Sequence, residues 1–123
     1  MRVMVLAKAP KDPQAGALPT KEAWEEMDRF HEELAKAGIV LDGGGLQPGV
    51  CVRASGKDRI VTDGPYAETK ELVAGYQIWE VKSLEEAIAW VKRGPIADGS
   101  EVEIRPIFMY SPEEVGEIMS QDK

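Results

Sequence analysis

Residues 2–8 are apolar at both odd and even positions (Val3, Met4, Val5, Leu6, Ala7), the pattern of a strand buried on both faces in the middle of a sheet. Pro10, Pro13, Gly16 and Pro19 then forbid regular structure and make the next segment a loop and a candidate lid. Thr20 is a helix N-cap, Trp24, Met27, Phe30, Leu34 and Ala37 recur at helical spacing, and Gly38 supplies the stop, so a helix is predicted from about 21 to 37 with its apolar stripe on a sheet. Ile39 to Leu41 begin a second strand, and Gly43-Gly44-Gly45 are expected to bend or bulge it. Residues 50–54 and 59–62 read as a hairpin across Ser55-Gly56-Lys57-Asp58.

In residues 75–81, Trp79 and Val81 share one face and Tyr76 and Ile78 the other, as expected of a central strand. Ser83-Leu84-Glu85-Glu86 has the form of a capping box. It opens a helix whose Leu84, Ala87, Ile88 and Val91 are expected to face inward and which ends at Gly94-Pro95. Residues 102–109 read as a last strand limited by Pro106, and Ser111-Pro112-Glu113-Glu114 opens a short terminal helix weakened by Gly116. The order strand-helix-strand, hairpin, strand-helix-strand predicts a single α+β domain. Its fold is ferredoxin-like (split βαβ), an antiparallel sheet with both long helices on one face, an inserted hairpin and a short C-terminal helix. The other sheet face keeps apolar side chains with nothing in the chain to cover them, so a homodimer is expected.

A chain of 123 residues buries roughly 65% of its unfolded surface and needs no disulfide or metal staple. Fifteen Lys and Arg against 22 Asp and Glu give a formal charge of −7 with no basic cluster, which argues against nucleic acid as a partner. The opening apolar stretch is too short for a signal peptide and no segment approaches membrane-spanning length, so the expected location is cytoplasmic with no membrane partner. Cys51 lies between Val50 and Val52 and is read as buried packing.

Several motifs fail on their spacing. Gly43-Gly44-Gly45 lacks the third glycine of a dinucleotide fingerprint, which falls at Pro48, and no Gly-Lys-Ser/Thr triplet occurs. A tight approach to the loop after residue 63 is the alternative to a bulge there. His31-Glu32-Glu33-Leu34-Ala35 has Ala35 where a zinc-protease helix needs its second histidine, and His31 is the single histidine of the chain, so neither a metal site nor a cofactor is expected. His31 is read as a helix residue at the core margin rather than a general base, and Trp24, Trp79 and Trp90 as core or dimer contacts.

Asp63-Gly64-Pro65-Tyr66-Ala67-Glu68-Thr69-Lys70-Glu71 is the densest run of ionisable groups beside a turn. Asp63 has no N–H to accept from two residues ahead, because Pro65 lacks one, while Gly64 and Pro65 let the chain bend sharply and bring Asp63 toward residues 66–70. Two readings of the run stand: a pocket edge, or a solvated loop in which Lys70 neutralises Glu68 or Glu71. The run resembles the DGPF signature of the YCII-related proteins, with Tyr66 where Phe is usual. The resemblance extends to Val3–Lys8, residues 33–38, Gly45-Leu46-Gln47-Pro48, residues 83–93 and Glu103-Ile104-Arg105-Pro106.

That resemblance implies a ferredoxin-like fold, dimers forming an α/β barrel, and bacterial proteins whose activities are mostly unassigned. Some relatives carry a His-Asp pair proposed to be catalytic; its histidine aligns at or near Met27 here, so the pair is not carried over. Members of this branch are often encoded beside extracytoplasmic-function sigma factors. The first functional reading is a homodimer binding, with or without transforming, a small polar metabolite in a cleft near the signature. Asp63 would be base or acceptor, Lys70 the anion partner, and Tyr66, Glu68, Thr69 and Gly45 further ligand contacts. The alternative is a non-catalytic accessory protein whose partner is such a sigma factor.

Overall fold

In a computed structural model, the structure describes residues 1–8, 20–47, 49–63, 73–96 and 99–121, with the backbone alone at Asp63. Among the described residues, nine elements follow one another: β1 (Arg2–Lys8), α1 (Lys21–Lys36), β2 (Val40–Gly45), β3 (Val50–Ser55), β4 (Asp58–Asp63), β5 (Val73–Glu80), α2 (Leu84–Arg93), β6 (Val102–Pro106) and α3 (Pro112–Met119). A four-stranded antiparallel sheet has the order β2-β5-β1-β6, and β3 and β4 form a separate two-stranded sheet. With the hairpin set aside, this strand order is that of the ferredoxin-like fold, as the element order predicted.

The core lies between the sheet and the two long helices. Val3 and Val5 of β1, Trp79 of β5, Ile39, Val81, Leu34 of α1 and Ala87 of α2 are buried, with Phe30, Val40, Trp90, Val91, Val102 and Ile104 packed around them. Thr20 caps α1 by accepting from the Ala23 N–H at 3.1 Å, and Gly38 takes the left-handed conformation (φ 70°) that ends it. Phe30 and Trp90 join the helices with ring centroids 6.4 Å apart, and Arg93 bonds Glu33 at 2.8 Å across the same seam.

Several expectations change in detail. At α2 Ser83 accepts from Glu86 N–H, but the Glu86 carboxylate accepts from Lys82 N–H rather than returning to Ser83. The reciprocal box forms instead at α3, between Ser111 and Glu114. Ile88 is exposed, because α2 turns Ala87, Trp90 and Val91 to the core. The last strand stops at Pro106, which leaves Phe108, Met109 and Tyr110 exposed. The glycine triplet runs as regular strand beside β5. The irregularity falls earlier, between Val40 and Asp42, and Gly43 closely approaches Tyr76 and Gln77 of β5; the expected approach to the loop after residue 63 lies outside the described residues.

Cys51, expected to be buried, is exposed. Its apolar run belongs to a two-stranded ribbon, separate from the four-stranded sheet, that makes at most slight contact with the other described elements. Val50, Val52, Ile60 and Val61 are exposed there for the same reason. Among the described residues, no helix is long and apolar enough to cross a membrane.

Candidate functional site

The helix-facing side of the sheet is filled at one end and vacant at the other. Alternation places Val3, Val5 and Ala7 of β1 on this side, paired with Trp79, Gln77 and Gly75 of β5. On β2, Gly43 pairs with Gln77 and Gly45 with Gly75. Large side chains therefore give way to Ala7, Gly75 and Gly45 toward the end where β1 stops. The first turns of α1 hold Trp24 and Met27 above this floor, 63% and 37% exposed, because little side-chain volume rises to meet them.

The result is a cleft of about 820 Å³ under α1, closed on another side by Val91, Gly94, Pro95, Ile96 and Val102. The three glycines of β2 are not equivalent within it. A Cβ on Gly43 would lie 2.8 Å from Gln77 Cγ and 2.9 Å from the Tyr76 carbonyl, so glycine is required for that approach. A Cβ on Gly45 would meet nothing within 4 Å.

One polar relay crosses the boundary between the packed end and the cleft. The Trp79 indole Nε1–H donates to Gln77 Oε1 at 2.7 Å, and Gln77 Nε2 lies 3.1 Å from His31 Nε2 on α1. Gln77, His31 and Trp79 all line the cleft, and its described lining includes no Asp, Glu, Lys or Arg. Among the described residues there is also no cluster of three or more His, Cys, Asp or Glu side chains placed to hold a metal ion.

The YCII-related domain matches residues 1–111 of this chain. The chain belongs to the YCII-related family. An uncharacterized protein of Rhizobium meliloti (strain 1021) is 33% identical over 91 residues, 72% of this YCII-related chain and 73% of the relative. Among solved structures, 5-chloro-2-hydroxyhydroquinone dehydrochlorinase from Burkholderia phenoliruptrix AC1100, in complex with 2,5-dihydroxybenzoquinone, is similar with a TM-score of 0.46 and 16% identity. That match covers 92% of this chain and 98% of the other.

Of the residues singled out by sequence, Gly45 is in the cleft wall. Asp63 ends β4 opposite Val50, and its side chain lies outside the described residues, as do Tyr66, Glu68, Thr69, Lys70 and the proline-rich segment. His31 is corrected from core margin to cleft wall: it is exposed, and Met27 one turn earlier lines the same cleft. Gln77 was missed. Its signal was present, since an amide sharing the buried parity of Trp79 in a central strand needs a partner. So was that of His31, which follows Trp24 and Met27 at helical spacing on one face.

Proposed function

We propose that this YCII-related protein binds a compact, mainly apolar small molecule in the cleft under α1, with one polar group of the ligand meeting the Gln77–His31 edge. The observation that carries this reading is the pairing of a vacant alanine and glycine floor with the aromatic wall of Trp24. A volume of about 820 Å³ is in the range of small-molecule sites, which are usually apolar with a few convergent polar groups. The described lining favours a molecule whose polarity is local, a narrower class than the small polar metabolite expected from sequence.

Residues 63–71 stay in the proposal through chain connectivity, because β4 ends at Asp63 and β5 begins at Val73, two residues before Gly75 on the cleft floor. A homodimer is also part of it. Met4 and Leu6 of β1 and Tyr76 and Ile78 of β5 alternate onto the sheet face away from α1 and α2. The exposed Val52 and Val61 of the hairpin add apolar surface that a second copy would bury.

The test is a fragment screen read by tryptophan fluorescence, on wild type and Gly45→Leu. Side-chain volume added at Gly45 should abolish binding and leave the thermal midpoint within a few degrees; binding retained by Gly45→Leu defeats the cleft reading. Asp63→Asn and Lys70→Met should lose binding with the midpoint unchanged if the signature contributes to the site. A protein that binds no fragment yet co-elutes with an extracytoplasmic-function sigma factor supports the accessory reading instead.

A further inference from the structure

We infer that Gln77 is a positioning residue that fixes the His31 ring as a hydrogen-bond donor, so that the cleft selects ligands presenting an acceptor, foremost a carbonyl oxygen. This deepens the small-molecule reading above and rests on it for the ligand, but not for the state of the ring. The indole nitrogen of Trp79 donates and never accepts. The atom 2.7 Å from it must accept, which makes it the amide oxygen of Gln77. Turning the amide over would set its NH₂ against the indole N–H, two donors face to face.

With the oxygen so committed, the NH₂ of Gln77 faces His31 Nε2 at 3.1 Å. An amide nitrogen also donates only, so the bond exists when His31 Nε2 carries no proton and accepts. The neutral ring then carries its proton on Nδ1. Left for a ligand are the second N–H of the Gln77 amide and the Nδ1–H of His31, and the indole of Trp24 on the same cleft is another donor without acceptor capacity.

These donors fit an acceptor on the ligand, such as the carbonyl of a ketone or aldehyde on an apolar body. A polar ligand group that meets no complementary partner in such a site loses the hydrogen bonds it made in water.

The experiment has two independent arms. His31 is the single histidine of the chain, so a long-range ¹H–¹⁵N spectrum of the apo protein contains one imidazole system and needs no variant. It should show a protonated Nδ1 and an unprotonated Nε2. Gln77→Glu, whose carboxylate accepts from both Trp79 and His31, should move the proton to Nε2. A wild-type ring protonated at Nε2, or a spectrum that Gln77→Glu leaves unchanged, overturns the positioning role.

The second arm compares 1-tetralone with tetralin, which has the same ring skeleton without the carbonyl. Wild type should bind 1-tetralone about 3- to 10-fold more tightly, the worth of one hydrogen bond, and Gln77→Leu should reduce this preference to less than about twofold. The expected tautomer with equal affinity for the two probes overturns the ligand class. The expected tautomer with neither probe bound defeats the cleft reading itself, and the ligand class with it.

Discussion

The two ends of one sheet face are built from the same strands under the same helix, yet one is core and the other is cleft. At the packed end Val3, Trp79 and Leu34 leave no exposed side-chain surface beyond the 2% of Trp79. At the other, Ala7, Gly75 and Gly45 lie beneath Trp24 and Met27, which stay open. Removing volume from three adjacent strands, rather than inserting a loop or moving a helix, makes the cavity. Protein interiors are close-packed, so a floor of such residues below an aromatic helix face is a feature that needs a role.

The two ends should differ most in what a truncated side chain costs in stability. Leu34→Ala should cost about 2–5 kcal/mol because it empties a fully enclosed site. Met27→Ala, on the same stripe two turns earlier, should cost about 1 kcal/mol, since its side chain loses little packing. Urea unfolding of both variants measures the contrast, and equal losses would mean that the two ends are packed alike.

A smaller effect separates two glycines of one strand. Gly43→Ala should destabilise by about 1–3 kcal/mol, because its Cβ drives into Gln77 and the Tyr76 carbonyl. Gly45→Ala should be neutral or stabilise by about 0.5–1 kcal/mol, as its Cβ enters open space and the unfolded chain loses freedom. Matched thermal midpoints for the two would remove the asymmetry on which the cleft depends.

Association offers a third check, away from the helix-covered face. Light scattering should give about twice the 13.5 kDa chain mass. Val52→Glu with Val61→Glu, a facing pair on the exposed ribbon, should shift the protein toward monomer if the ribbon contributes to the interface. A dimer untouched by both charges would confine the interface to the sheet face.

The smallest effect sits at the rim of the packed end. The carboxyl of Glu80 is held below its ordinary value first by the hydrogen bond from the Met1 α-amino group, against burial, then by the charge of that amine and by the hydrogen bond and charge of Arg2. A depressed folded value means that its contribution to stability is present above about pH 4.3, the ordinary carboxylate value, and is lost as pH falls through the lower folded one. Glu80→Gln should therefore narrow the gap to wild type as the medium is acidified. The change should be slight, because the group is exposed and screened. Thermal midpoints over roughly pH 3 to 6 measure it.

Local chemistry made most of the architecture legible in advance. Thr20 and Gly38 bracket α1, the parity of Trp79 and Val81 marks β5 as central, and the element order leads to the observed strand order. Burial was harder to read. Val50-Cys51-Val52 is as apolar as Val3-Met4-Val5, but one run entered a four-stranded sheet and the other a separate two-stranded ribbon, a difference set by which neighbours each strand finds. Gly45 was picked out for the site, whereas His31 was assigned to the core margin and Gln77 passed unnoticed, because a histidine and a glutamine 46 residues apart become partners only when α1 is laid across β5.

The elements and their caps are written in local sequence, since turns, periodicity and N-cap hydrogen bonds depend on residues within a few positions of one another. The alignment of small residues of β1, β2 and β5 at one end of the sheet, and the single relay of Trp79, Gln77 and His31, come from the assembled fold. Both are long-range coincidences of strand register and helix placement, and side-chain volume missing from three strands becomes a cavity only when the strands lie side by side.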